Sequence, residues 1–98
     1  MLAKFQTYTM SLELYDQCQK IKLPSFLRDQ LLRAASSVTL NIAEASGRTG
    51  LKDRKHRFSI ALGSLREVRS IIDISKQSTP WFDERIDHIG ACLYKLSH

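Results

Sequence analysis

Cysteine is scarce in this chain, with two in 98 residues, and tryptophan occurs once. A disulfide-stapled fold is therefore not expected, because small stapled domains carry four or more closely spaced cysteines. No apolar run approaches the ~18 residues needed to span a bilayer. Met1 to Met10 has neither a long apolar stretch nor a small-residue cleavage site, so no secretory signal is visible and a cytoplasmic location is the expectation. Nowhere do apolar and polar residues alternate with the period of two that marks a half-buried strand. Chemistry is equally under-represented: no Gly-x-Ser-x-Gly elbow surrounds a serine, and Gly47 and Gly50 do not form a Walker loop. The expected protein has no catalytic residues, no cofactor and no metal.

What remains is helical. Chain breakers gather at Leu23-Pro24-Ser25, at Ser46-Gly47 through Gly50, and at Ser78-Thr79-Pro80. They divide residues 1–98 into helices expected at about 3–22, 25–46, 51–77 and 80–97, within a single domain. Thr79 suits an N-cap with Pro80 at the first helical position, and Gly47 suits a left-handed helix end. Short connections make successive helices antiparallel, so the predicted fold is all-α, an antiparallel up-down-up-down four-helix bundle.

The apolar pattern is broader than one bundle needs. The first helix carries Phe5, Tyr8, Leu12 and Tyr15 on one side and Met10, Leu14, Cys18 and Ile21 on nearly the opposite side. The third carries Phe58, Ala61, Leu62, Leu65, Val68 and Ile72 on one face and a second stripe of Ile60, Gly63, Ile71 and Ile74. A helix with two apolar sides needs two covers. Met10, Leu14, Ile60, Ile71 and Ile74 are accordingly expected to form an oligomer surface. Gly63 and Gly90 each cost a helix interior ~1 kcal/mol but permit close backbone approach.

Polar residues are also patterned. Ser37, Asn41, Glu44 and Arg48 recur on one flank of the second helix beside its apolar stripe. Together with Glu67, and with Arg33 or Arg66 as partners, they are expected to form a polar seam between helices or subunits, since a buried polar group must find a partner. Cys18 and Cys92 are not expected to pair, because antiparallel helices place them ~6 and ~18 Å from the same bundle end. Glu84 and His88 lie one turn apart but have no further ligands suggested by sequence.

The net charge of +5 is concentrated. Arg48, Lys52, Arg54, Lys55 and Arg57 face a single carboxylate, Asp53, within ten residues, a local excess of +4. Such a cluster attracts polyanions, RNA and DNA included, or an acidic protein surface.

The segments Arg33-Ala34-Ala35-Ser36-Ser37-Val38, Asn41-Ile42-Ala43-Glu44-Ala45-Ser46-Gly47-Arg48 and Ile60-Ala61-Leu62-Gly63-Ser64-Leu65-Arg66-Glu67 resemble the four-helix-bundle family of 23S rRNA-intervening-sequence proteins. That family includes the accessory variability protein of diversity-generating retroelements. The resemblance implies a ring-like homopentamer with no known enzymatic activity, and the retroelement relatives bind a reverse transcriptase and nucleic acid through basic surface. Ala45 stands where the family usually has glycine, and the turn at Pro24 is shorter than in many members.

Overall fold

The computed structural model describes residues 2–98; Met1, the first residue of the expected domain, lies outside them. The chain forms α1 (Leu2–Gln19), α2 (Ser25–Ser46), α3 (Leu51–Ile74) and α4 (Pro80–Ser97). Each helix packs against its sequence neighbour, and α1 closes the ring against α4, while the backbones of the diagonal pairs stay farther apart. This is the expected all-α up-down-up-down bundle, 40 Å long.

Residues with small side chains set the closest pairing. Ala34, Ala35 and Ala45 of α2 and Ala61 of α3 are fully buried, which lets these two helices make the most extensive contact in the bundle. Leu31, Val38 and Ile42 then fill the centre with Leu65, Val68 and Ile72 of α3 and Ile89 and Leu93 of α4. Gly90 faces α3, where an added Cβ would make an ordinary contact with Leu65 Cδ2 at 3.5 Å.

Gly63 faces no neighbour within the chain. It sits on the exposed side of α3, and an added Cβ would meet nothing within 4 Å. Gly63→Ala is expected to stabilise the fold by about 0.5–1 kcal/mol, because alanine narrows the unfolded ensemble at no steric cost. A thermal melt checks this; a lower midpoint would contradict it.

The helix ends differ from expectation where tertiary contacts intervene. α1 stops at Gln19, not near residue 22, and Arg28 of α2 donates from Nη1 to the free carbonyls of Gln19 and Ile21 at 3.0 and 3.2 Å. α3 ends at Ile74, not near residue 77, because Lys76 turns left-handed at φ 58. The N–H of Gln77 then reaches the Ile72 carbonyl and that of Lys76 the Asp73 carbonyl, a Schellman closure. Gly47, expected left-handed, is right-handed at φ −88, and its N–H continues to the Glu44 carbonyl as a tightened last turn. At α4 the expectation holds: Thr79 accepts from the Phe82 N–H at 3.2 Å with Pro80 following.

The two sides of α1 are occupied in the opposite sense to that expected. Leu14 and Cys18 are fully buried and Met10 nearly so, while Phe5 is 67% and Leu12 46% exposed. Met10 and Leu14 therefore belong to the chain's own core and are closed to a partner. Ile71 of α3 is likewise buried, Ile60 is half-buried, and only Ile74 of the expected oligomer surface is exposed. Thr7 and Ser11 share the inner side of α1 and are buried with their hydroxyls satisfied by the carbonyls of Ala3 and Tyr8. Thr39 of α2 donates to the Ser11 oxygen at 2.9 Å, which pins that side of α1 against α2.

Cys18 and Cys92 are free thiols. Burial pushes the Cys18 thiol up to about 12, so it stays protonated and unreactive near neutral pH. A native sample is expected to resist alkylation at Cys18 until it unfolds. Because the folded thiol titrates above its ordinary value of 9.0, the stability tied to its neutral form is complete below pH 9 and is lost as pH rises towards 12. Peptide mapping after alkylation, with and without denaturant, reads the first effect.

Candidate nucleic-acid interface

The basic cluster lies at the corner where α2 ends and α3 begins. Two turns of helix carry four of its five cations, and the Ser46 to Gly50 corner brings in the fifth, Arg48. Arg48 is not free to act as a point charge. Its guanidinium pairs with Glu44 at 2.9 Å and with Asp53 at 3.4 Å. Counting Glu44 lowers the local excess from +4 to +3.

The remaining cations occupy two facets. At about 100° per residue, Arg54 and Arg57 fall on the flank that continues into the core stripe, whereas Lys52 and Lys55 point outward with His56. Lys52 is exposed, and Lys55, Arg54 and Arg57 are half-buried. Arg57 Nε is shielded from solvent and has no hydrogen-bond partner among the described residues. Lys52, Arg54 and Lys55 make no ion pair among the described residues. α3 also begins on Gly50 without a side-chain cap, so its first N–H groups add positive potential to the same corner.

The polar seam divides into separate parts. Ser37 Oγ lies 2.7 Å from Ser64 Oγ of α3, and Asn41 Nδ2 donates to the Ser37 carbonyl at 2.9 Å and to its hydroxyl at 3.1 Å. Ser64 is the partner that sequence reasoning missed; its place in the Gly63-Ser64-Leu65 stretch gave no sign that it faces Ser37. Glu67 takes Arg33, not Arg66, at 2.9 Å, and Glu44 turns away to Arg48. Both ion pairs are largely solvated, so each contributes at most ~1 kcal/mol. The Ser37, Asn41 and Ser64 group fixes the register of α2 on α3 inside one chain.

An apolar face remains open on the other side of the bundle. Phe5, Tyr8 and Ala43 line one groove between α1 and α2, and Leu12, Tyr15, Thr39 and Leu40 line the next. Leu40 is 63% exposed. Isolated exposed leucines are ordinary, but adjacent grooves of them mark an interaction surface.

No group of three or more His, Cys, Asp or Glu side chains is placed to hold a metal ion among the described residues. Glu84 and His88 are 3.9 Å apart on the exposed side of α4. Among the described residues, no helix is long and apolar enough to cross a membrane.

Fold and surface together define a small helical bundle with a cationic corner and an open apolar side. The family model for the 23S rRNA-intervening sequence protein matches residues 3–98, and the chain belongs to that family. Searches of curated proteins and of solved structures returned no match.

Proposed function

We propose that this chain is a non-enzymatic, homo-oligomeric, cytoplasmic protein that binds RNA or DNA through the α2–α3 corner. The reading includes a pentamer as the expected assembly and a reverse transcriptase of a diversity-generating retroelement as a candidate protein partner. The observation that carries it is the group Lys52, Arg54 and Lys55, which has no carboxylate paired to it and lies beside an uncapped helix N-terminus. Phosphates are the complementary ligand, because each neutralised phosphate releases condensed counterions. Copies joined through the α1–α2 apolar face would repeat the corner around the assembly, and simultaneous contacts raise avidity by about 10²–10⁴ without any new chemistry.

Filter binding of RNA at several salt concentrations tests this. The logarithm of the affinity is expected to fall linearly with the logarithm of salt concentration and to change little with base sequence. An affinity no better than that of a charge-matched control protein would contradict the reading. That result would favour a second one, a protein-interaction scaffold without nucleic-acid affinity, supported by the exposed Phe5, Leu12 and Leu40.

A further inference from the structure

The outward face of α3 extends the cationic corner into a track. α3 packs only on α2 and α4, so its remaining side faces away from the bundle. From its N-terminus that side presents Lys52, Lys55, His56, Ser59, Gly63 and Arg66, all exposed except Lys55, which is half-buried. None of these cations makes an ion pair among the described residues. The carboxylates on the helix are engaged elsewhere, Asp53 by Arg48 at 3.4 Å, Glu67 by Arg33 at 2.9 Å and Asp73 by Arg69 at 3.4 Å. Between the two cationic ends lie Ser59 and Gly63, with half-buried Ile60 on the flank and Gly63 open to solvent. His56 and Arg66 are ten positions apart, about 15 Å along the helix.

We infer that this face is a docking track for double-stranded RNA, with α3 lying across the shallow minor groove and its two cationic ends meeting the phosphates on either side. This rests on the nucleic-acid reading above and names the kind of nucleic acid. Single strands are held by stacking on exposed Phe, Tyr or Trp side chains, and α3 exposes none of these, Phe58 being buried. The B-form minor groove, about 6 Å wide, is too narrow for a helix about 10–12 Å across. The B-form major groove admits a helix, but it is read by long side chains that reach base edges, and the middle of this face has only serine and glycine. The A-form minor groove is wide and shallow and lined with 2′-hydroxyls. Ser59 can exchange hydrogen bonds with those hydroxyls, and the missing Cβ at Gly63 lets the backbone come close. The role also accounts for a mid-helix glycine that nothing inside the chain requires.

Fluorescence anisotropy with a labelled RNA duplex of about 16 base pairs, its single strand and a DNA duplex of the same sequence tests the inference on the full chain. The RNA duplex is expected to bind most tightly. Arg66→Glu and Gly63→Glu should each weaken it by about tenfold, the scale of exchanging a phosphate contact for repulsion. Lys95→Glu on α4 makes the same charge change as Arg66→Glu and should have a much smaller effect. Circular dichroism and light scattering confirm that each variant keeps its helicity and mass. Equal weakening by Lys95→Glu, or no weakening by Arg66→Glu and Gly63→Glu while changes at Lys52 and Lys55 abolish binding, would overturn the track and leave the polyanion reading standing. A change of assembly mass in Gly63→Glu would assign the face to a second copy of the chain and also overturn it. Failure of the unmodified protein to bind any of the three probes would remove the nucleic-acid reading itself.

Discussion

Leu12→Glu combined with Leu40→Glu is expected to release a folded single chain of 11.2 kDa from the assembly. Both leucines lie on the open α1–α2 face, 46% and 63% exposed, so neither change touches the chain's own core. Fully burying one leucine at a contact contributes about 1.5–3 kcal/mol. Losing two, and placing two carboxylates in an apolar contact, removes enough to shift association by several orders of magnitude. Helicity by circular dichroism should stay at its original level while sedimentation velocity reports the smaller mass. RNA affinity should fall by about 100-fold as simultaneous contacts are lost. A variant that keeps its original mass would show that this face joins nothing.

Reversing charge at Lys52, Arg54 and Lys55 together is expected to lower RNA affinity by about 10³-fold at low salt, since three attractive contacts become repulsive. Arg48 and Arg57 are left unchanged for a structural reason. Arg48 holds Glu44 and Asp53, and Arg57 has its Nε shielded by the fold, so altering either would mix folding with binding. Glutamate in the first turns of α3 also favours the positive helix end, and helicity should not fall. Binding within threefold of the original protein would remove the corner from the interface.

Much of the fold was legible because its signals are local. Pro24 and the Thr79-Pro80 pair fix where α2 and α4 begin by their own backbone restrictions, and no tertiary contact is needed to read them. The stripe from Leu31 to Ala45 is one-sided, so its burial followed directly from helical spacing. α1 was different. Its two apolar stripes are nearly equal, and spacing alone does not say which of them the chain's own core takes. That core takes Met10 and Leu14, together with Thr7 and Ser11, whose hydroxyls find acceptors in their own helix.

The site was less legible than the fold. The sequence places Glu44 and Arg48 on one flank of the second helix, but a charge count over the cluster alone sees only Asp53 and leaves out Glu44, which pairs with Arg48 at 2.9 Å. Ser64 pairs with Ser37 across 27 positions of sequence, a relation that depends on how deeply α2 and α3 interlock through alanines. Likewise the end of α3 at Lys76 used a left-handed lysine where a glycine or asparagine would have announced it. Of these, the Ser37–Ser64 pair is decided by packing between helices, whereas the other two are local.

The central claim is that the apolar side left open between α1 and α2 is covered by further copies of the chain, which multiplies the cationic corner. Light scattering coupled to gel filtration, run on the unmodified protein at micromolar concentration, tests it most directly. The predicted result is a mass several times 11.2 kDa, near five times for a ring. A stable species at the mass of one chain would contradict it.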